Sequence, residues 1–421
     1  MNCRLAIDSS IALLPRKIAT AGSLALSLVQ PAFGQLVAPA VSPEPVPTYF
    51  IAQPDWPLWQ SPSRHSAHRG ALAQGTAVPL FATLGGTDCK NPWWQVGPHA
   101  WLCPDDANVT AADGTTLGSA TLASDELLVY VAVGKNGALG YRRREDVDVG
   151  SPSAEFQAGF LLGITQASDL GESTALYTTH GYWIAARDVQ TVKPNPFAGT
   201  VIEGELEVAW VFDKRSALYS SPDVKKLPAS YVERLARVTV TGQQQKGSGL
   251  WLRTDQGWLR SSDLRMPEQQ PPPPGLTPGE RWIDVDTKTQ TLVAYIGPRP
   301  VFATMVSTGR GKPNSEQATP IGQHRLWIKL RRSDMDNLED TETASPYAVE
   351  AVPYVMFFDH GYGIHGTYWH DRFGTPKSHG CVNVSLSDAR WLFKFTSPHL
   401  PVGWSAVFPV ARERGTLVQV R

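Results

Sequence analysis

Cys381 stands two residues after His379 and sixteen after His365, in the stretches Ile364-His365-Gly366 and Lys377-Ser378-His379-Gly380-Cys381-Val382-Asn383. A thiol attacks a carbonyl carbon as its thiolate, and a nearby imidazole is the usual means of making one at neutral pH. Gly366 and Gly380 flank the histidines, and glycine lets backbone amides approach a substrate with no side chain in the way. These residue types at this spacing outline a cysteine acyl-transfer site. A second chemistry uses the same residues. His365, His370, His379 and Cys381 are four acceptable zinc ligands, although their spacing matches no familiar zinc pattern and the glycines beside the cysteine suit amide donors better.

Cysteine usage separates Cys381 from the rest. The N-terminus has the form of an export signal over residues 1–34: basic Arg4, Arg16 and Lys17, an apolar run from Ile18 to Val29, and a small-x-small site at Ala32-Phe33-Gly34. The competing reading is an uncleaved anchor, but the run is shorter than the roughly 20 residues a span needs. Removing Cys3 with the signal leaves three cysteines. Cys89 and Cys103 are close in sequence with strand-like residues between them, which predicts a disulfide clamping a hairpin. Cys381 is then odd, and its neighbours favour a reactive thiol over an intermolecular bridge.

The chain of 421 residues is too long for one core and predicts two to four domains. Its 38 basic and 39 acidic residues give a net charge of −1, which argues against a phosphate-tracking surface and hence against nucleic acid as a partner. Fourteen tryptophans, 36 glycines and 34 prolines indicate a β-rich, turn-rich protein. No stretch after the signal is apolar enough to span a bilayer. Neither a metal nor an organic cofactor is required by this chemistry.

Two proline-rich segments divide the chain. Residues 35–47 read as an extended linker, and residues 267–279, with Pro271 to Pro274, as a stiff polyproline spacer. Between them lies an internal repeat. Trp94, Trp101 and Asp106 align with Trp251, Trp258 and Asp263. Trp183 with Asp188, and Tyr141 with Asp146, give partial copies. A tryptophan-led strand after a short turn suits a small β-barrel hairpin. These segments resemble bacterial SH3-like modules, placed at 48–110 and 205–266 with a related region at 120–195. They would bind wall polymer or, equally, serve as spacers or covers with tryptophan in their cores.

Beyond the spacer, Trp282–Val285, Gln290–Tyr295, Val301–Ser307 and His324–Lys329 read as strands. Arg331–Pro346 is polar and irregular, a candidate lid. Tyr354–Phe358 and Gly363–His365 read as buried strand. One helix follows the cysteine, with Ser385 and Ser387 as caps, Asp388 at its positive end, and Ser397-Pro398 as its stop.

Residues 280–410 resemble the catalytic domain of the YkuD-type L,D-transpeptidases. The resemblance rests on His365-Gly366, the spacer, Ser378-His379-Gly380-Cys381-Val382-Asn383, and Thr319-Pro320-Ile321-Gly322. It implies a mainly β fold: a β-sandwich catalytic domain, here preceded by small SH3-like β-barrel modules. It implies Cys381 as nucleophile toward peptidoglycan tetrapeptide stems, a thioester intermediate, and a 3→3 cross-link to a neighbouring stem. Sequence geometry alone favours His379 as base, since residues i and i+2 of a strand face one way; the family points to His365. With His365 as base, His379 shapes the oxyanion pocket, the N–H groups of Gly380 and Cys381 are donors to it, Ser378 orients His379, and Asn383 braces the loop. Ser378 and Asn383 are equally readable as purely structural. Lys377 or Arg372 would attract the substrate carboxylate. Asp359 and Asp371 are read as surface turn residues ahead of any third catalytic member, because a backbone carbonyl can fix the His365 tautomer as well. Two rival functions share the site: an L,D-carboxypeptidase or D-amino-acid exchanger, and a wall-binding scaffold without catalysis.

Overall fold

The computed structural model describes residues 48–51, 55–106, 109–111, 128–170, 173–338 and 346–421. The export signal and the first linker lie outside the described residues. The architecture is mainly β, with one α-helix among the described residues.

The C-terminal third is a sandwich of two sheets. One runs in the order Thr200–Val201, Arg299–Met305, Thr291–Ile296, Arg281–Asp286, Leu417–Val420, Gly322–Arg325. The facing layer comes from Ile328–Asp336, Ala348–Asp359, Tyr362–Gly366 and Val382–Val384. Successive side chains of a strand point to opposite faces, and here both faces are covered. Ile283, Val285, Leu292 and Ala294 enter the core between the sheets. Their neighbours Trp282, Val293 and Tyr295 face the other way, against Phe197, Leu206 and Trp210 from the preceding region. That double covering is why Leu292–Tyr295 is an unbroken apolar run rather than an alternating one.

The helix Leu386–Phe395 closes the sandwich. Ser385 caps it, its Oγ accepting the Asp388 N–H at 3.2 Å. Leu386, Ala389, Leu392 and Phe393 form its buried face. Buried Asp388 accepts from the Gly199 N–H (2.8 Å) and Thr304 Oγ1 (2.6 Å), and burial pushes its carboxyl up to about 6. At the other end, buried Lys329 donates through Nζ to the carbonyls of Phe393 (2.6 Å) and Thr396 (2.9 Å), satisfying groups the helix cannot.

Two expectations change here. His324–Lys329 is not one strand. The chain leaves the first sheet after Arg325 and enters the second at Ile328, because the Leu326 N–H donates to Thr416 while the Trp327 N–H donates to Phe357. Arg331–Pro346 is not wholly irregular either. Arg331 to Asp336 extend that strand and pair with Ala348–Pro353, and their polar side chains lie at its half-buried positions.

The repeat has a local structural counterpart. Ala100–Leu102, Trp183–Ala185 and Trp258–Arg260 are short strands, each followed by a 3-10 turn that ends at Asp106, Asp188 or Asp263; the strand Ala138–Gly140 precedes a similar turn ending at Asp146. Cys89 and Cys103 are disulfide-bonded, tying the loop before Trp93–Gly97 to the end of its hairpin partner.

These N-terminal regions are not held away from the C-terminal sandwich. Gly70–Leu72 pairs directly with Trp404–Val407, and Trp404 and Val407 complete the core formed by Trp56, Leu58 and Leu102. The segment 267–279 carries no strand or helix, as a linker should. It is nevertheless no free spacer: Pro267 and Pro273 are buried, and the Gln270 N–H donates to the Tyr295 hydroxyl at 3.0 Å. Leu276 packs against the cluster that holds Trp282 and Tyr295, whose rings stack at 4.2 Å.

The middle region grips the sandwich through His180. Its Nδ1 lies 2.7 Å from Glu350 and its Nε2 2.8 Å from Asp334. The two carboxylates, Asp334 first, hold the imidazolium up to about 10. The folded value exceeds the unfolded one, so this stabilisation is fully present below about pH 6.5 and is lost as pH rises toward 10. The difference in thermal midpoint between the native protein and His180→Ala is therefore expected to shrink between pH 6 and pH 10. A difference that does not change over that range would show the imidazolium to be uninvolved.

Candidate active site

Cys381 lies in a bend just ahead of Val382–Val384, not on a strand. That strand runs parallel to Tyr362–Gly366, with Ile364 opposite Val382 and His365 opposite Asn383. Its other side bridges to Ser307 through the backbone of Asn383. Cys381 is a free cysteine, 4% exposed, and its thiol donates to the Gly361 carbonyl at 3.7 Å. It opens onto a cavity of about 160 Å3 that His365, Trp369, His370, His379 and Asn383 also line.

The two motif histidines differ in what their nitrogens can do. His365, 2% exposed, stacks on Trp369 and sets Nδ1 3.2 Å from the Gly366 carbonyl. Nδ1 must carry the proton to donate there, which leaves the lone pair on Nε2. His379 is the reverse. Its Nε2 accepts from the Arg310 guanidinium at 2.7 Å, so its remaining proton sits on Nδ1 and no basic nitrogen is left over. Burial, then the charge of Arg310, pushes His379 down to about 4. The i, i+2 argument for His379 fails because residues 379 and 380 form a bend, where strand alternation does not apply.

Ser378 does not orient His379. Its Oγ donates to the Cys381 carbonyl (2.5 Å) and accepts the Gly380 N–H (3.1 Å), locking the turn that carries the thiol. The Gly380 N–H is thereby committed inside the turn, contrary to its expected place as an oxyanion donor. Glycine is needed at 380 for another reason. Its φ is +121°, and a Cβ there would lie 2.4 Å from the Tyr362 ring. Gly380→Ala should cost on the order of 1–3 kcal/mol of stability and most of the activity, measurable by denaturant titration beside an acylation assay. An unperturbed variant would refute the steric account. Gly366 likewise serves packing: a Cβ would meet Leu386, Pro353 and Ala389 at 3.0–3.2 Å.

Lys377 lines the cavity, whereas Arg372 does not. Asp371 is ion-paired with Arg234 of the preceding region at 3.0 Å, and Asp359 faces its neighbour His360 at 2.8 Å. Among the described residues, the group of three or more ligand-type side chains whose donor atoms all lie within 4.8 Å of one another is Cys89, Cys103 and Asp105, two of them in the disulfide. The four residues weighed as zinc ligands are not among them. Sequence reasoning missed Arg310, Met335, Tyr347, Val349 and Trp369 as lining residues. Tyr347 stacks with His379 at 5.8 Å. Arg310 alone carried a signal, being a cation between two glycines shortly before Thr319-Pro320.

Residues 280–420 match the YkuD family, the L,D-transpeptidase catalytic domain. A Bacillus subtilis protein described as a putative L,D-transpeptidase, YciB, is 25% identical over 126 residues, covering 29% of this chain and 63% of that protein. The chain thus spans less than two thirds of that relative. Among solved structures, the L,D-transpeptidase of Xylanimonas cellulosilytica is similar at 22% identity, covering 36% of this chain and 64% of that one, with a TM-score of 0.24. The catalytic domain of the Enterococcus faecium L,D-transpeptidase is 25% identical, covering 34% and 98%, with a TM-score of 0.25.

Proposed function

We propose that this protein is an exported peptidoglycan L,D-transpeptidase acting through a thioester on Cys381. The observation that carries the reading is the pairing, in one cavity, of a free thiol with a histidine whose Nε2 is left basic by the Gly366 carbonyl.

His365 takes the proton from Cys381 Sγ, and the thiolate attacks the carbonyl carbon of the third residue of a tetrapeptide stem. The C–N bond to the terminal D-alanine breaks, and that amine leaves with the proton from His365. A side-chain amine of a neighbouring stem then attacks the thioester and gives a proton to His365, the C–S bond breaks, and a 3→3 cross-link forms as the thiolate leaves and takes that proton back. Arg310 and Lys377 give the cavity a positive rim suited to a stem carboxylate. No helix among the described residues is long and apolar enough to cross a membrane; export rests on the sequence of residues 1–34, and the site of action would be the periplasm or cell wall.

The N-terminal regions act chiefly as a scaffold for the site. Trp56, Trp93, Trp210 and Trp251 are buried, which favours cores over a glycan-binding face. Arg265 Nε donates to the Gly374 carbonyl (2.8 Å) in the loop before the cysteine. Tyr130 stacks on Tyr368 at 3.7 Å, beside Trp369.

Mass analysis of products from purified tetrapeptide stems tests the reaction. Cross-linked dimers are expected. Tripeptides alone would mean that water takes the acyl group and the enzyme is a carboxypeptidase.

A further inference from the structure

One half-buried histidine lining the cavity has no part in the chemistry above. His370 Nδ1 faces the backbone N–H of Arg372 at 3.1 Å, and its Nε2 lies 2.8 Å from the Asn383 amide atom placed as Nδ2, with Oδ1 at the other end. A backbone N–H can only donate, so Nδ1 is an acceptor. Burial above all pushes His370 down to about 4, so the ring is neutral at neutral pH. A neutral imidazole has one proton, and with Nδ1 accepting, it resides on Nε2. Nε2–H must then meet the amide oxygen of Asn383, because two donors cannot share that contact; which end of an amide is oxygen follows from its partners.

The consequence falls on the other end of the amide. Asn383 is 3% exposed and lines the cavity, and that second amide position is buried with no protein partner. It stands on the strand that carries Cys381 into the sheet, directly opposite His365 in register. A buried, unpaired polar group costs roughly 1–3 kcal/mol, so its position calls for a ligand atom.

We infer that His370 fixes the Asn383 amide so that its NH2 group faces the cavity as a hydrogen-bond donor to an oxygen of the acyl-donor peptide. This rests on the transpeptidase reading for the identity of the ligand, while the amide orientation stands on the ring geometry alone. His370 is a positioning residue, and Asn383 is the group that touches substrate. The sheet backbone already braces Asn383 on both sides, through His365 and Ser307, so its side chain is available for this task.

Three measurements test the inference. In histidine-labelled native protein at neutral pH, long-range 1H–15N correlation is expected to show His370 as the Nε2–H tautomer. An Nδ1–H tautomer overturns the amide orientation whatever the activity. Asn383→Asp keeps an acceptor for Nε2–H but offers the substrate only oxygen. Acylation of Cys381 by a stem tetrapeptide at low concentration should fall about tenfold or more, chiefly through KM for the donor; a native rate would reduce Asn383 to a brace. His370→Gln, which retains an N–H near the Nε2 position, should keep more acylation activity than His370→Leu, and equal rates would overturn the positioning role. A native protein that forms no thioester would instead refute the transpeptidase reading, and with it the ligand named here, while leaving the tautomer result to stand on its own.

Discussion

Cys381→Ala is expected to reduce both thioester formation and cross-linking to background while the protein remains folded. The substitution removes one sulfur atom from a site beside a cavity, and Cys381 belongs to a large buried cluster that includes Tyr130, Val355 and Leu386. Its cost in stability should be small beside the cost in chemistry, because no other free thiol exists among the described residues to carry the acyl group. Circular dichroism and a thermal midpoint establish the fold, and dimer yield from tetrapeptide stems gives the activity. Cross-linking that persists in the folded variant would remove the nucleophile from the account.

His365 should show the next largest effect. With Nδ1 held by the Gly366 carbonyl, Nε2 is the basic atom of the site. Loss of a positioned general base typically costs 10²–10⁴-fold, and about that loss in kcat/KM is expected for His365→Gln, which keeps much of the buried volume. The pH dependence carries the sign. Without the imidazole, the thiol must ionise unaided, so the variant should recover activity as the pH is made alkaline. His379→Gln should lose less and show no such alkaline recovery, since its Nε2 is occupied by Arg310. If His379→Gln is the more damaged and the more alkali-dependent of the two, the base has been assigned to the wrong ring.

The candidate site was legible in the sequence because it is local. One odd cysteine, two histidine-glycine pairs and a capped helix lie within about thirty residues, and each depends on neighbours in the chain. The helix Leu386–Phe395 could be read from Ser385 and Asp388, and the disulfide from spacing and cysteine count. What escaped reading depends on contacts between distant segments. Arg310 reaches His379 from 69 residues away, and the engagement of Nε2 that disqualifies His379 as a base cannot be seen without it. The bend at 379–380 defeated strand alternation because Gly380 takes a positive φ. The proline segment looked like a spacer because composition reports stiffness but not the packing of its Leu276 against the cluster that holds Trp282 and Tyr295. The sheet shared between Gly70–Leu72 and Trp404–Val407 joins residues more than three hundred positions apart, and no local pattern announces such a pairing.

The most direct test of the central claim is the intact mass of the native protein after brief incubation with a stem tetrapeptide, with peptide mapping of the adduct. The account predicts a mass gain equal to the tetrapeptide less its terminal D-alanine, located on Cys381 and released by hydroxylamine as a thioester should be. An unmodified protein under conditions where stems are consumed, or an adduct on any other residue, would contradict it.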